Sequence, residues 1–467
     1  MKPCLQLTIS NPIYWLLFGL FFMTVSCSEE EEVQPFTINF TNVESGISEA
    51  SPEATISITF SRAASNQGSI SLVANAGALQ YGENSDYFTE PAEVNSRITL
   101  PFNAGDESVS FVVKKGSGLN IQQDETVSYD LEADGSTFVT GVNQTANVRF
   151  SENFVAPSGT LELNAGGEGF TQKAFVDLSK LQQVTVPTQS WDLGFATEVG
   201  VQRVVLNSAG YVMARPLDKI DLAQVSEADT AGFAASMAIP QFDPSVGATA
   251  WVDHPSGDLA RTAFGDIAVD AANAKVFIIK RDGENRNWKK VKVYSQGEDY
   301  VVEHADIAAT DINTVQISKD AAFNFNFLDL DNGEVSVEPE KENWDIMYGT
   351  YTEWFNMGAP GLYIPYGFKD FIVINRAGVS AAMVLEEDIA FSDFATEDVA
   401  AITFNTDLDV IGENWRSGGG PNSGPALRTD RFFVIQDGDG NYFKLRFTRL
   451  TSTEGERGKP EFTFERI

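Results

Sequence analysis

Apolar and polar residues alternate with a period of two along most of this chain. Ile56, Ile58 and Phe60 alternate with Thr55, Ser57, Thr59 and Ser61. A strand turns successive side chains to opposite faces, so such a run buries one face and wets the other. Residues 98–100, 109–113, 127–131 and 146–150 repeat the pattern. Helical periodicity is scarce, with 221–229 and 393–401 the best short candidates. The pattern predicts an all-β protein, and short strands with turns between them predict an antiparallel β-sandwich over 36–150.

Beyond the sandwich the pattern occurs twice. VTVPTQSWDLGF around Trp191 is followed by VQRVVLNSAGYVMA, and VSVEPEKENWDIMY around Trp344 by KDFIVINRAGVSAAMV. Each copy holds an alternating strand, a Trp-Asp strand and a third strand carrying an Asn (Asn207, Asn375), and closes on KVFIIKRDGENRNWKKVKVY or RFFVIQDGDGNYFKLRF. Recurrence at a fixed spacing of roughly 150 residues predicts two copies of one structural unit, over 159–309 and 311–467. Each Trp is expected in a core, with its indole N–H finding one partner. Asp437-Gly438, between apolar runs, predicts a hairpin turn.

The first residues change where the protein is placed. Lys2 precedes the apolar run IYWLLFGLFFMTV (13–25), which ends at Ser26-Cys27. The run is short for a membrane span. Thr24-Val25-Ser26-Cys27 resembles a bacterial lipobox, with Thr in place of the usual Leu, which would make residues 1–27 a signal peptide and Cys27 the lipidated residue. The acidic run Ser28-Glu29-Glu30-Glu31-Glu32, within a linker over 28–35, resembles the surface-export signal of Bacteroidota lipoproteins. These features predict a lipid-anchored outer-membrane protein exposed at the cell surface. Cys4 and Cys27 are the only cysteines, so the domains that follow carry no disulfide or thiolate metal site.

Charge and composition exclude more than they assign. The net charge is −34, from 66 acidic against 32 basic residues, which repels nucleic acid. The two histidines, His254 and His304, leave little for a Ser-His-Asp or Cys-His nucleophile, and neither G-x-S-x-G nor H-E-x-x-H occurs. A carboxylate pair for glycoside hydrolysis stays open among so many acids, but the reading is of a binding protein, not an enzyme. His254, in the Pro-Gly loop WVDHPSGD, is expected to be exposed; His304 shares a strand face with Tyr300 and Val302. Trp354, Phe355, Met357, Tyr363, Pro365, Tyr366 and Phe368 crowd what reads as a loop after the second Trp-Asp strand. They either wall a flat apolar ligand or cover the sheet as a satellite core. Trp415 and Arg416 precede a Gly-rich stretch and are further pocket candidates, with Arg416 suited to an anionic group.

Two family resemblances follow. Glu49, Gly82-Glu83-Asn84-Ser85-Asp86-Tyr87, Ala104-Gly105-Asp106-Glu107 and Asp124-Glu125 make 36–150 resemble the Calx-β family. That resemblance implies a possible weak Ca²⁺ site at Glu49, Asp86, Asp124 and Glu125, although Gln122-Gln123 replaces the family's paired Asp and a Ca²⁺ ion takes about 6–8 oxygens. A spacer sandwich with solvated loop carboxylates is the other reading. Asn343-Trp344-Asp345-Ile346, Asn375, Gly378, Trp415, the 431–435 and 437–445 runs and the 458–464 end make the second copy resemble the HmuY family of haem-binding surface lipoproteins. The first copy matches more loosely. The HmuY resemblance implies haem held between two axial ligands, with haem or haemoproteins and an outer-membrane receptor as partners. Met383 falls near one ligand position and Met213 near its counterpart in the first copy; His304 is a third candidate. The second ligand position falls in Ser417–Pro421, which offers no His, Met or Tyr. The alternative is a non-haem ligand-binding or adhesion module that kept the fold without the axial ligands.

Overall fold

The computed structural model describes residues 35–49, 51–121, 124–231, 238–283, 286–418, 424–453 and 455–467. Cys27 and the acidic run after it lie outside the described residues, as does most of the Ser417–Pro421 segment. The structure is all-β and built of several sheets. Around the two helix candidates it forms short 3₁₀ turns instead, at Leu222–Gln224, Glu227–Thr230 and Thr396–Ala401. No helix among the described residues is long and apolar enough to cross a membrane.

The first strands are β1 (Phe36–Phe40), β2 (Glu44–Ile47), β3 (Glu53–Phe60), β4 (Gly68–Asn75), β5 (Tyr87–Glu90), β6 (Arg97–Phe102), β7 (Ser108–Lys115), β8 (Glu125–Glu132), β9 (Phe138–Thr140) and β10 (Thr145–Phe150). They form two five-stranded sheets, ordered β5-β7-β3-β1-β9 and β2-β10-β8-β4-β6. The alternation read from sequence is what joins them, because Ile56, Ile58 and Phe60 all face inward. Phe36 meets Phe102 edge-on at 5.8 Å and Phe111 meets Tyr129 at 4.9 Å. Each such ring pair adds about 0.5–1.5 kcal/mol beyond its burial.

The first Trp-Asp series runs through β11 (Ser158–Glu162), β12 (Gln172–Asp177), β13 (Gln182–Pro187), β14 (Leu193–Ala196), β15 (Val204–Leu206), β16 (Met213–Pro216), β17 (Val276–Lys280), β18 (Lys289–Gln296) and β19 (Asp299–Asp306). The second runs through β20 (Asn313–Ile317), β21 (Phe325–Asp329), β22 (Gly333–Val335), β23 (Ile346–Asn356), β24 (Tyr363–Ile374), β25 (Ser380–Leu385), β26 (Arg416–Ser417), β27 (Ala426–Leu427), β28 (Arg431–Gln436), β29 (Tyr442–Arg449) and β30 (Glu461–Arg466).

Strands of the two series interleave. Hairpin β12–β13 pairs with β23, placing Val176 opposite Ile346, while hairpin β21–β22 pairs with β14, placing Leu193 opposite Leu328. The long sheets are shared in the same way. One is ordered β16-β17-β18-β19-β20, and the other β11-β30-β29-β28-β25. Each core therefore contains the other series' hairpin: Val176 and Leu178 pack with Ile346 and Phe433, and Leu328 and Leu330 pack with Leu193 and Phe277. The turn at Asp437 is as the sequence predicts, with the carboxylate accepting from the N–H groups of Asp439 and Asn441 and joining β28 to β29.

Candidate functional site

The Trp-Asp and Asn residues fix where the hairpins meet. Asp192 accepts from the backbone N–H of Leu330 at 2.8 Å, and Asp345 accepts from that of Leu178 at 2.8 Å. Each carboxylate thus caps the hairpin donated by the other series. Asn207 donates to the carbonyls of Trp191 and Thr188, and Asn375 to those of Trp344 and Lys341. Buried carbonyls need such partners, because leaving one unpaired costs about 1–3 kcal/mol.

The charge around the two Asp residues differs. Asp192 pairs with Arg281 at 3.0 Å and with Arg286. Arg281 follows β17, and the position following β28 holds Asp437, another acid. Among the described residues no Lys or Arg forms an ion pair with Asp345, and Ser179 donates to Asp437 at 3.0 Å. Burial, with Asp177 nearby, pushes the Asp345 carboxyl well above the usual carboxylate range; burial likewise raises Asp177. These acids open on a polar cleft of about 640 Å³.

Between the hairpins lies a smaller cavity of about 130 Å³, walled by Phe175, Trp191, Phe325, Phe327, Trp344 and Met347. Both Trp residues are core, as the sequence suggests, at 6% and 7% exposure. Their indole N–H groups do not find the expected partner: neither Nε1 has a hydrogen bond, because both side chains line the cavity. Lys173, Asp253, His254 and Glu338 also reach this wall. Burial lowers the Lys173 ammonium to about 8, opposed by Glu338. Burial raises Glu338 to about 7 against the N–H groups of Phe325 and Asn324, and Asp253 to about 6 against those of Leu206 and Ala263. His254 is half-buried rather than exposed: its ring meets Trp354 at 4.6 Å, and burial lowers its pKa.

The aromatic segment expected as a loop is instead the hairpin β23–β24, which stays paired from Ile346–Ile374 out to Asn356–Tyr363. Inner positions serve packing: Trp354 joins a cluster with Met213, Trp251 and Trp288, and Tyr351 donates to the Pro255 carbonyl. Tyr366 packs on Phe355 and Phe368. The outer positions Phe355, Met357, Leu362 and Tyr363 are exposed.

The three ligand candidates are not brought together. Met213 is fully buried, at 0% exposure, in the cluster with Trp354. His304 is buried on β19 opposite Val291, on the core face, and burial with the nearby Lys289 charge lowers its pKa. Ladder register sets these two on opposite faces of one sheet, since Met213 opposes Lys280 while Ala214 and Ile279 share the face of Val291 and His304. Met383 alone is open, at 45% exposure, and its sulfur accepts from Arg431 at 3.3 Å. The structure draws Trp415 and Arg416 inside the fold. Trp415 is core, stacked on Phe447 at 4.1 Å with Nε1 donating to the Asp370 carbonyl. Arg416 is buried against Asp370. Neither borders the two cavities described above. The Calx-β-type carboxylates are not gathered either: Glu49 pairs with Lys115 at 3.2 Å and Asp86 accepts from the Gln80 N–H. Among the described residues no group of three or more His, Cys, Asp or Glu side chains is arranged to hold a metal ion.

These features define an all-β protein whose shared sheets enclose a core-lined cavity. The chain belongs to the HmuY protein family, whose model matches residues 170–464. Among solved structures, a putative HmuY-like heme-binding protein from Bacteroides vulgatus is similar at 10% identity, over 66% of this chain and 91% of that one, with a TM-score of 0.18. A putative lipoprotein from Bacteroides fragilis is similar at 11% identity, over 68% and 93%, with a TM-score of 0.17. The apo-form Calx CBD1 domain is similar at 16% identity, over 25% of this chain and 97% of that domain, with a TM-score of 0.21. Among curated proteins none matches the chain.

Proposed function

We propose that this is a binding protein, not an enzyme, that captures haem or a related tetrapyrrole through its second strand series. Membership of the HmuY family supports the ligand class. The observation that carries the site is the open thioether of Met383, the one exposed candidate of the three. A thioether is a competent axial ligand for haem iron. The 130 Å³ cavity is not the tetrapyrrole site, since pockets for drug-sized ligands run to about 300–1,000 Å³. In this reading the two series are duplicates of one unit that exchange hairpins, and the β1–β10 sandwich is a spacer from the surface. Lipid on Cys27 holds the protein to the outer membrane, and the haem passes to a receptor there.

The test is a haemin titration of the purified protein. A saturable Soret shift supports the proposal; its absence overturns it. The second reading is a binding or adhesion module for another ligand. It is favoured by the Ser417–Pro421 segment, which supplies no second axial side chain, and by the guanidinium already held on the Met383 sulfur.

A further inference from the structure

The central cavity contains an unpaired buried cation. Lys173 is 5% exposed and lies on β12, one residue into the exchanged hairpin. Among the described residues its ammonium makes neither a hydrogen bond nor an ion pair. Its contacts are ring faces, Trp191 at 4.9 Å and Phe175 at 5.7 Å. Ring faces stabilise a desolvated cation only partly, whereas burying an isolated ammonium costs far more. Two indole N–H donors on the same wall, of Trp191 and Trp344, also lack acceptors. All three unmet groups demand negative charge or acceptor oxygens. Of the wall carboxylates, Glu338 offsets part of the Lys173 charge without hydrogen-bonding it, its Oε1 accepting from the N–H groups of Asn324 and Phe325, and Asp253 accepts from those of Leu206 and Ala263.

The rest of the wall sets the ligand's shape. It is largely apolar, and its volume of about 130 Å³ is close to that of an apolar protein cavity of about 150 Å³ known to admit benzene. We propose that this cavity is a binding site for a small aromatic carboxylate, with the ring between the walls and the carboxylate on Lys173 and the two indole N–H groups. The site is formed jointly by the two series, since Lys173 and Trp191 come from the first and Trp344 from the second. It stands independently of tetrapyrrole binding, and a failed haemin titration leaves it untouched.

The test uses the full chain and two probes of one size: benzoate and uncharged benzyl alcohol. Binding is read by quenching of indole fluorescence and by calorimetry. Benzoate is expected to bind saturably and at least tenfold tighter than benzyl alcohol. Lys173→Met should abolish that preference while keeping benzyl alcohol binding. A pH series on the unaltered protein serves as a second arm that does not depend on the variant folding. The wall also carries Asp253, His254, Asp258, Glu338 and Arg376. Lys173 is the wall group brought to about 8, with Glu338 and Asp253 brought to about 7 and 6. Benzoate affinity should therefore weaken as Asp253 and Glu338 ionise through about pH 6–7, and fall further, at least tenfold between about pH 7.5 and 9.5, as the ammonium loses its proton. Benzyl alcohol affinity should stay level across that range. Absence of saturable benzoate binding, equal affinity for the two probes, or a pH-independent benzoate affinity would overturn the proposal.

Discussion

Asp192 and Asp345 perform the same backbone task in opposite electrostatic settings. Each caps a hairpin from the other series at 2.8 Å. Asp192 is held by two arginines, whereas Asp345 sits among acids beside an open polar cleft. The thioethers divide the same way, with Met213 sealed in packing and Met383 open to solvent. The first series thus spends its polar groups on holding itself together, while the second leaves charge and a soft ligand atom available. The Asp and Asn hydrogen bonds recur in both series, but the charge around them does not, which is why function has to be argued from side chains.

The largest expected effect is at the compensated pair. Asp192→Asn should destabilise the protein by about 3 kcal/mol, because Arg281 then stays buried without its main counter-charge. Asp331, 2.7 Å from the other arm of Arg281, limits the loss. Urea unfolding measures it, and a loss under about 1 kcal/mol would erase the contrast with Asp345.

Next come the two Asn residues, which the comparison treats as equivalent. Asn375→Ala strands two carbonyls, and Asn207→Ala strands that of Thr188 and leaves that of Trp191 only the 3.3 Å contact from Arg286. Each should cost about 1–3 kcal/mol, and to a similar degree. A clear difference between them in the same unfolding assay would mean that the matched geometry hides unequal roles.

Smaller in size, and opposite in sign, is Asp345→Asn. The amide oxygen keeps the Leu178 N–H satisfied while the negative charge goes. Burial raises the folded-state pKa of Asp345 above its unfolded value, so the folded protein holds this proton more tightly. The contribution to stability is present below the unfolded carboxylate range and is lost as pH rises through the raised value. The variant should match the unaltered protein at acid pH and exceed its stability increasingly as pH rises. Unfolding midpoints compared at about pH 5 and 8 decide this, and a variant less stable at the higher pH would contradict it. Met383→Ala should change stability least, by under about 0.5 kcal/mol, because the side chain is exposed.

The sequence made the strands and the duplicated Trp-Asp and Asn positions legible, since period-two burial and spaced motifs are local signals. The pairing of strands between the series was not legible, because a short strand buried on both faces, such as β12, does not specify which strand lies beside it. The same limit separates Met213 from Met383: both sit on short strands after the recurring Asn, and only the packing of Trp251 and Trp354 seals one of them. Trp415 next to a glycine-rich stretch reads as a loop residue, yet Phe447 and the Asp370 carbonyl draw it inward. The Lys173 site was missed although it left a trace. Lys173 and Phe175 share one strand face, and a Lys on the apolar face of a buried strand signals a cation needing a partner.

The most direct test of the account is haem titration of the unaltered protein, Met383→Ala and His304→Ala, with ferric and ferrous haem, followed at the Soret band and with folding checked by circular dichroism. A thioether is a soft ligand and prefers ferrous iron. The account predicts a saturable Soret shift that tightens on reduction, weakens at least tenfold in Met383→Ala and persists in His304→Ala. Binding abolished in a folded His304→Ala protein but intact in Met383→Ala would contradict it and move the site to the first series.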